Sequence, residues 1–169
     1  MRKHLAKQMK PLSLEFGGMA LFDGEYRRIA PGRGRAVQFD DGVLYVPGAA
    51  DKVPAKLRAY FKTVARDRMV AASVHYAGLL GKPVGRITLR DTRSRWGSCT
   101  SEGNLMYSWR LIMAPPSVQA YVATHEVCHL VEMNHSKAYW TLVAGIFPDY
   151  KTQRNWLKQN GAILHRYRF

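Results

Sequence analysis

Val122-Ala-Thr-His125-Glu126-Val-Cys-His129-Leu-Val-Glu132-Met-Asn-His135 is the stretch on which the reading of this chain turns. Residues four apart on an α-helix lie nearly above one another, one turn along the axis. His125 and His129 therefore project from one face, and both imidazoles can reach a single metal ion. Glu126 lies roughly 100° further round the helix, where it can approach a zinc-activated water without being a ligand. Two zinc ligands and a general base are the mechanical content of H-E-x-x-H.

A tetrahedral zinc still needs a third protein ligand, with the fourth position left to water. Glu132 shares the helical face, but on a straight helix it lies about 10 Å along the axis from His125, and zinc–ligand bonds are only about 2 Å long. His135 can join the pair if the helix ends near Met133-Asn134 and the chain turns back. Asn tolerates the left-handed conformation that ends helices, which makes Asn134 the expected pivot. The metal set is thus His125, His129 and His135 around one Zn2+, with Glu126 as catalytic base and Glu132 as a partner for a ligand or a solvated charge. Val118, Tyr121, Val122, Val127 and Leu130 place the motif in an apolar-periodic helix, a context that a chance H-E-x-x-H lacks.

The remaining sequence bounds the setting. A chain of 169 residues suits one domain with a full core. The expected division is a basic, flexible tail over 1–19 and a single catalytic domain over 20–169. No apolar run is long enough to span a membrane, and the basic N-terminus has no apolar stretch behind it to make a secretory signal. Cys99 and Cys128 make no disulfide framework, so the expected compartment is the cytoplasm, with both thiols serving as packing. The net charge of +14 favours polyanions, so nucleic acid or nucleotide is a candidate partner through a basic surface.

Along the chain, Asp40-Asp41-Gly42 between apolar runs predicts a hairpin of 35–39 with 43–46. A long helix is predicted from Asp51 to about Leu80. Gly85–Arg90 alternates as a half-buried strand, and a second hairpin closes around Glu102-Gly-Asn104. Pro115-Pro116-Ser117 opens the histidine helix. Ser136 caps the next helix, and a last one runs from Tyr150 to Gln159 with Asn160-Gly161 as its stop. Strands mostly before the metal helix and helices mostly after it predict an α+β fold: a small, mostly antiparallel sheet packed on the H-E-x-x-H helix, with a helical C-terminal part.

The run Ser94-Arg-Trp-Gly-Ser-Cys99, with Ser108-Trp-Arg-Leu111, Ala114-Pro-Pro116, Tyr121-Val122, His125–His129, Asn134-His135-Ser136 and Trp140, resembles the YgjP-like zinc metallopeptidases. These are relatives of the SprT-like and Wss1-like (WLM) proteases. The resemblance implies a zincin-like fold, zinc, and His135 as third ligand. Metzincins share the histidine spacing, but Glu132 stands where they carry glycine.

The function expected is zinc-dependent hydrolysis of a protein or peptide. Zinc lowers the pKa of water and polarises the scissile carbonyl, and Glu126 takes the proton and delivers it to the leaving amine. Arg95, Tyr107 and Tyr139 are the candidates for contacting substrate and stabilising the oxyanion. An alternative is a nucleotide phosphohydrolase of the triphosphate pyrophosphatase type using the same zinc, although no glycine-rich phosphate loop accompanies it. A third reading is a basic nucleic-acid-associated protein with structural zinc. Three protein ligands rather than four, and Glu126 beside them, argue against it.

Overall fold

Asp-Gly occurs twice, and each time it closes a hairpin. Asp23-Gly24 has φ of 55° and 77°, and Asp41-Gly42 has 46° and 74°. Positive φ at both central residues matches the right-handed strand twist. In the computed structural model, which describes residues 10–169, the first turn joins β1 (Met19–Phe22) to β2 (Glu25–Gly32). The second joins β3 (Gln38–Asp40) to β4 (Val43–Pro47). β2 and β4 pair in parallel, giving a four-stranded sheet of order β1-β2-β4-β3.

This sheet packs its Ala20, Phe22, Ile29, Leu44 and Val46 against α1 (Val53–Leu79). Leu57, Phe61, Ala65 and Met69 recur every fourth residue on the buried face of α1, the spacing that keeps one stripe inward. Of the segment 1–19, residues 1–9 lie outside the described residues. Residues beyond them do not form a loose tail: Leu14 is buried, and Leu12 pairs in parallel with Tyr167. β1, too, begins at Met19.

A second, smaller sheet carries the chain to the site. It comprises β5 (Ile87–Arg90), β6 (Gly97–Cys99) and β7 (Leu105–Ser108), in the order β5-β7-β6. β6 and β7 form the expected antiparallel hairpin, and β5 joins β7 in parallel. A small sheet laid on the histidine-bearing helix, with a helical C-terminal part, is the expected α+β architecture. It is realised as two sheets rather than one, each with one parallel pair. The helix is α2 (Pro116–Cys128), followed by α3 (Lys137–Ile146) and α4 (Tyr150–Leu164). α2 packs on α1, α3, α4 and β6, and Leu105, Tyr107, Leu111, Tyr121, Val122 and Val127 form the core around it.

α4 corrects an expectation about Gly161. The helix does not stop there but runs on to Leu164. A Cβ on Gly161 would lie 3.0 Å from Cζ2 of Trp96, so the glycine lets α4 approach that indole closely. Close approach, not chain termination, explains the residue.

One buried cation ties the end of the chain to this frame. Arg110 donates from Nε and Nη2 to the two carboxylate oxygens of Asp91, at 2.7 and 3.3 Å. Its Nη1 donates to the carbonyls of Leu164 and Tyr167 at 2.8 and 3.1 Å. No helix among the described residues is long and apolar enough to cross a membrane.

Candidate metal centre

α2 ends at Cys128, earlier than Asn134, and His129 is its C-cap. The last turn tightens: the His129 and Leu130 amides donate to the Glu126 and Val127 carbonyls at 3.1 and 2.9 Å, three residues back instead of four. The Glu132 amide then donates to the Cys128 carbonyl at 3.0 Å. This compact reversal returns the chain without left-handed backbone at Asn134: among the described residues, the non-glycine positions of positive φ are Asp23 and Asp41.

The reversal brings His135 back over the helix end. Its Nε2 lies 3.0 Å from Nε2 of His129 and 3.3 Å from Nε2 of His125. The three ligand atoms all fall within 4.8 Å of one another. A tetrahedron with metal–nitrogen bonds of about 2.0–2.1 Å has edges of about 3.3 Å. The donor set therefore fits one small cation.

The imidazoles are also oriented. Nδ1 of His129 sits 3.0 Å from the Glu132 carbonyl. A carbonyl only accepts, so Nδ1 carries the proton and Nε2 keeps its lone pair for the centre. Glu132 thus supports a histidine through its backbone rather than its carboxylate. Nδ1 of His125 lies 3.4 Å from the Tyr121 hydroxyl. Burial, then the neighbouring His129, His135 and Arg154, push the His125 pKa down to about 3. Burial also lowers that of His129. Both rings are accordingly neutral at pH 7, the state that ligates metal.

Glu126 is 6% exposed, and no hydrogen-bond donor meets its carboxylate among the described residues. Its Oε1 lies 3.9 Å from Nε2 of His125. Burial raises its pKa to about 7, with the Arg95 charge opposing the shift in part. Gly97 on β6 makes the room: a Cβ there would lie 2.9 Å from Cγ and 3.1 Å from Oε1 of Glu126. A carboxylate poised near neutrality beside a set of neutral imidazoles is equipped to accept and return a proton.

Of the residues expected at the site, the triad, Glu126 and Arg95 come together. Arg95 lines the same cleft of about 370 Å³ as His125 and Glu126. Tyr107 and Tyr139 do not face substrate. Tyr107 is fully buried and shares a 2.8 Å hydrogen bond with Ser73 of α1. Tyr139 is fully buried, stacks on His129 with ring centroids 4.5 Å apart, and donates from its hydroxyl to the His125 carbonyl at 2.8 Å. It positions two of the histidines. Cys99 and Cys128 are free thiols, pushed by burial up to about 11 and about 12, and they supply no thiolate at neutral pH.

Sequence reasoning missed Tyr121, Trp140 and Arg154 as neighbours of the centre. Tyr121 had a usable signal, since it precedes His125 by one helical turn. Arg154 had none, because only the packing of α4 on α2 brings it near.

Neutral imidazoles converging on one point beside a buried carboxylate are the face of a metal-dependent hydrolase. A model of the YgjP-like metallopeptidase domain matches residues 20–160, and the chain belongs to that family. No curated protein matches the chain. Among solved structures, the metallopeptidase zymogen abylysin of Pyrococcus abyssi aligns at 21% identity over 56% of this chain and 93% of its own, with a TM-score of 0.45. The chain is thus a member of a metal-dependent peptidase family, with protein or peptide as the substrate class that membership suggests.

Proposed function

We propose that this chain is a zinc-dependent peptidase in which His125, His129 and His135 hold the metal and Glu126 is the general base. The observation that carries this reading is the meeting of three Nε2 atoms beside one buried carboxylate that has no hydrogen-bond donor among the described residues. Bound there, zinc supplies Lewis acidity that polarises the scissile carbonyl and acidifies water. Glu126 accepts the water proton at its carboxylate and hands it to the leaving amine. Tyr139 and the Glu132 carbonyl hold the imidazoles in place. Arg95 is the remaining candidate for stabilising the oxyanion, since Tyr107 and Tyr139 are committed to the interior.

β6 is an edge strand, and its Gly97 touches Glu126. An extended peptide added to this edge has its backbone fixed by main-chain hydrogen bonds next to the base. Two free cysteines suit a reducing, cytoplasmic setting.

The basic charge supports one further property. A groove on the small sheet carries Arg86, Arg90 and Arg95 among Thr88, Ser98 and Asn104, with no acidic residue in its lining. It favours contact with a nucleic-acid backbone or nucleotide phosphates. Salt-dependent DNA binding that weakens in an Arg86→Ala/Arg90→Ala variant is expected, and binding insensitive to both changes removes this property.

Zinc-loaded chain incubated with unfolded protein and, separately, with nucleoside triphosphates tests the main reading. A Glu126→Ala variant of equal zinc content is the control. Fragments that vanish in the variant establish the peptidase, whereas phosphate or diphosphate release that vanishes instead establishes the phosphohydrolase. No difference between the chains in either assay reduces the metal to a structural role.

A further inference from the structure

We propose that the cleft beside Glu126 is a carboxylate subsite, so that the enzyme cuts next to an acidic side chain or a free C-terminal carboxylate. The proposal rests on the peptidase reading and names its substrate class. Its starting point is α4, where Arg154, Leu157 and Lys158 stand three and four residues apart and so share a face. That face and the segment Arg95-Trp96-Gly97 line one cleft together with His125 and Glu126. Gly161 allows this closeness by letting α4 rest against Trp96.

The walls combine three cations, Arg95, Arg154 and Lys158, with apolar surface from Trp96, Val122 and Leu157. Glu126 is the one acid in the lining. None of the three cations forms an ion pair among the described residues, and none donates a side-chain hydrogen bond there. Arg154 is nevertheless held in place. Its guanidinium carbon lies 4.7 Å from the centroid of Trp140. That indole also stacks with Tyr150 at 5.4 Å and with His135 at 5.9 Å. A fork of donors fixed on an aromatic face beside the metal triad is preorganised for a planar anion.

Three exposed cations that line one partly apolar cleft favour an anion among them. A carboxylate one residue from the scissile bond supplies that charge, its methylenes lie on Trp96 and Leu157, and a lysine in its place is opposed. The positive field of the chain, +14 overall, draws acidic peptides toward the cleft. Two sources offer the same chemistry, an Asp or Glu side chain and a terminal α-carboxylate.

The test is a set of otherwise identical peptides with Glu, Gln or Lys on either side of one cleavable bond, each with a free or an amidated C-terminus. Charge-assisted, bidentate contacts imply a kcat/KM for Glu about tenfold or more above Gln, with Lys lowest. Cleavage that ignores the side chain but falls on amidation assigns the subsite to the terminal carboxylate, and a Glu preference that survives amidation assigns it to the side chain. Arg154→Glu is expected to reverse the Glu-to-Lys ratio. Lys158→Glu, farther along α4, is expected to shift it in the same direction, and serves if the first variant fails to fold or to hold zinc.

Equal cleavage of the three peptides by the unaltered chain, unchanged by amidation, overturns the proposal, as does a preference that neither variant moves. If the unaltered chain cleaves no peptide, the peptidase reading fails by itself, and the subsite is judged by binding. Fluorescence anisotropy of labelled Glu and Gln peptides on the Glu126→Gln chain then decides. Tighter binding of the Glu peptide keeps the subsite, and equal binding removes it.

Discussion

Arg110 and Glu126 are equally hidden, each 6% exposed, yet the fold treats them in opposite ways. Arg110 finds Asp91, two backbone carbonyls and the faces of Trp109 and Phe169, at 4.9 and 5.4 Å. Burial alone would raise the Asp91 pKa, but the hydrogen bond and charge of Arg110 outweigh it and hold it below the usual value. Glu126 finds no donor and is pushed upward instead. A buried charge whose hydrogen bonds are complete fixes structure. One left incomplete at the wall of a cleft is available for chemistry. The two sites share a framework, since Arg110 lies two residues past the end of β7 and Glu126 lies against Gly97 of β6, the strand paired with β7.

The sharpest way to break the contrast is to neutralise each charge. Glu126→Gln keeps the shape and removes the base, so peptide hydrolysis is expected to fall by roughly 10²- to 10⁴-fold. The melting temperature should not drop, because an unpartnered carboxylate adds nothing to folding. A large loss of stability with activity retained would falsify the assignment. Arg110→Met should do the reverse. Removing one partner of a buried ion pair costs about 3–5 kcal/mol, read as a lower urea midpoint. The lower end is expected, because the Asp91 side chain is 38% exposed and rehydrates. Zinc content per folded chain should hold, and a variant that loses zinc without losing stability would erase the distinction.

The same contrast separates what could be read from sequence. The pairing of His125 with His129 was legible because helix geometry alone puts residues four apart on one face, whereas His135 reaches them only through the chain reversal after α2. The hairpin at Asp41-Gly42 was legible for a similarly local reason. Asp23-Gly24 carries the same signal, but the basic, glycine-containing stretch before it hid β1. The end of α2 was misplaced because its early stop depends on a three-residue hydrogen-bond pattern, with His129 then held by the Glu132 carbonyl. No residue type announces either feature. Arg110, Arg154 and the true roles of Tyr107 and Tyr139 were not legible. Each is decided by a partner far away in sequence: Leu164 and Tyr167, Trp140, Ser73, and the carbonyl of His125.

Smaller effects sharpen the picture through pH. In the metal-free chain Glu126 binds its proton more tightly when folded, with a pKa of about 7 against an ordinary 4.5. The folded state therefore holds the extra proton between these values. Stability falls as pH rises through that window, and the full cost applies above 7. His125 acts in the opposite sense. Its folded pKa of about 3 lies below the ordinary 6.5, so its contribution is complete above 6.5 and is lost as pH falls toward 3. The two oppose each other over much of the range, and a difference measurement isolates Glu126. The unaltered chain and Glu126→Gln should be about equally stable at pH 4. By pH 7.5 the variant should lead by up to about 3 kcal/mol. Zinc should narrow the gap, since a nearby cation favours the carboxylate. A gap that does not widen with pH means that Glu126 is solvated in solution.

Tyr139→Phe is the gentlest probe. The phenyl ring keeps the stacking on His129, at 4.5 Å and 17°, and deletes only the 2.8 Å hydrogen bond from the hydroxyl to the His125 carbonyl. That bond joins the start of α3 to the last turn of α2, so it sets how far His135, just before α3, sits from the other two imidazoles. Partners that orient ligands without touching the metal are typically worth 10- to 100-fold in affinity. Because this one acts through backbone, the lower end, about tenfold weaker zinc binding in a chelator competition, is the expected result. Activity at saturating zinc should change less than affinity does, because Glu126 and its surroundings are untouched. A variant with unchanged affinity but much reduced turnover would instead place the Tyr139 hydroxyl at the substrate, despite its burial.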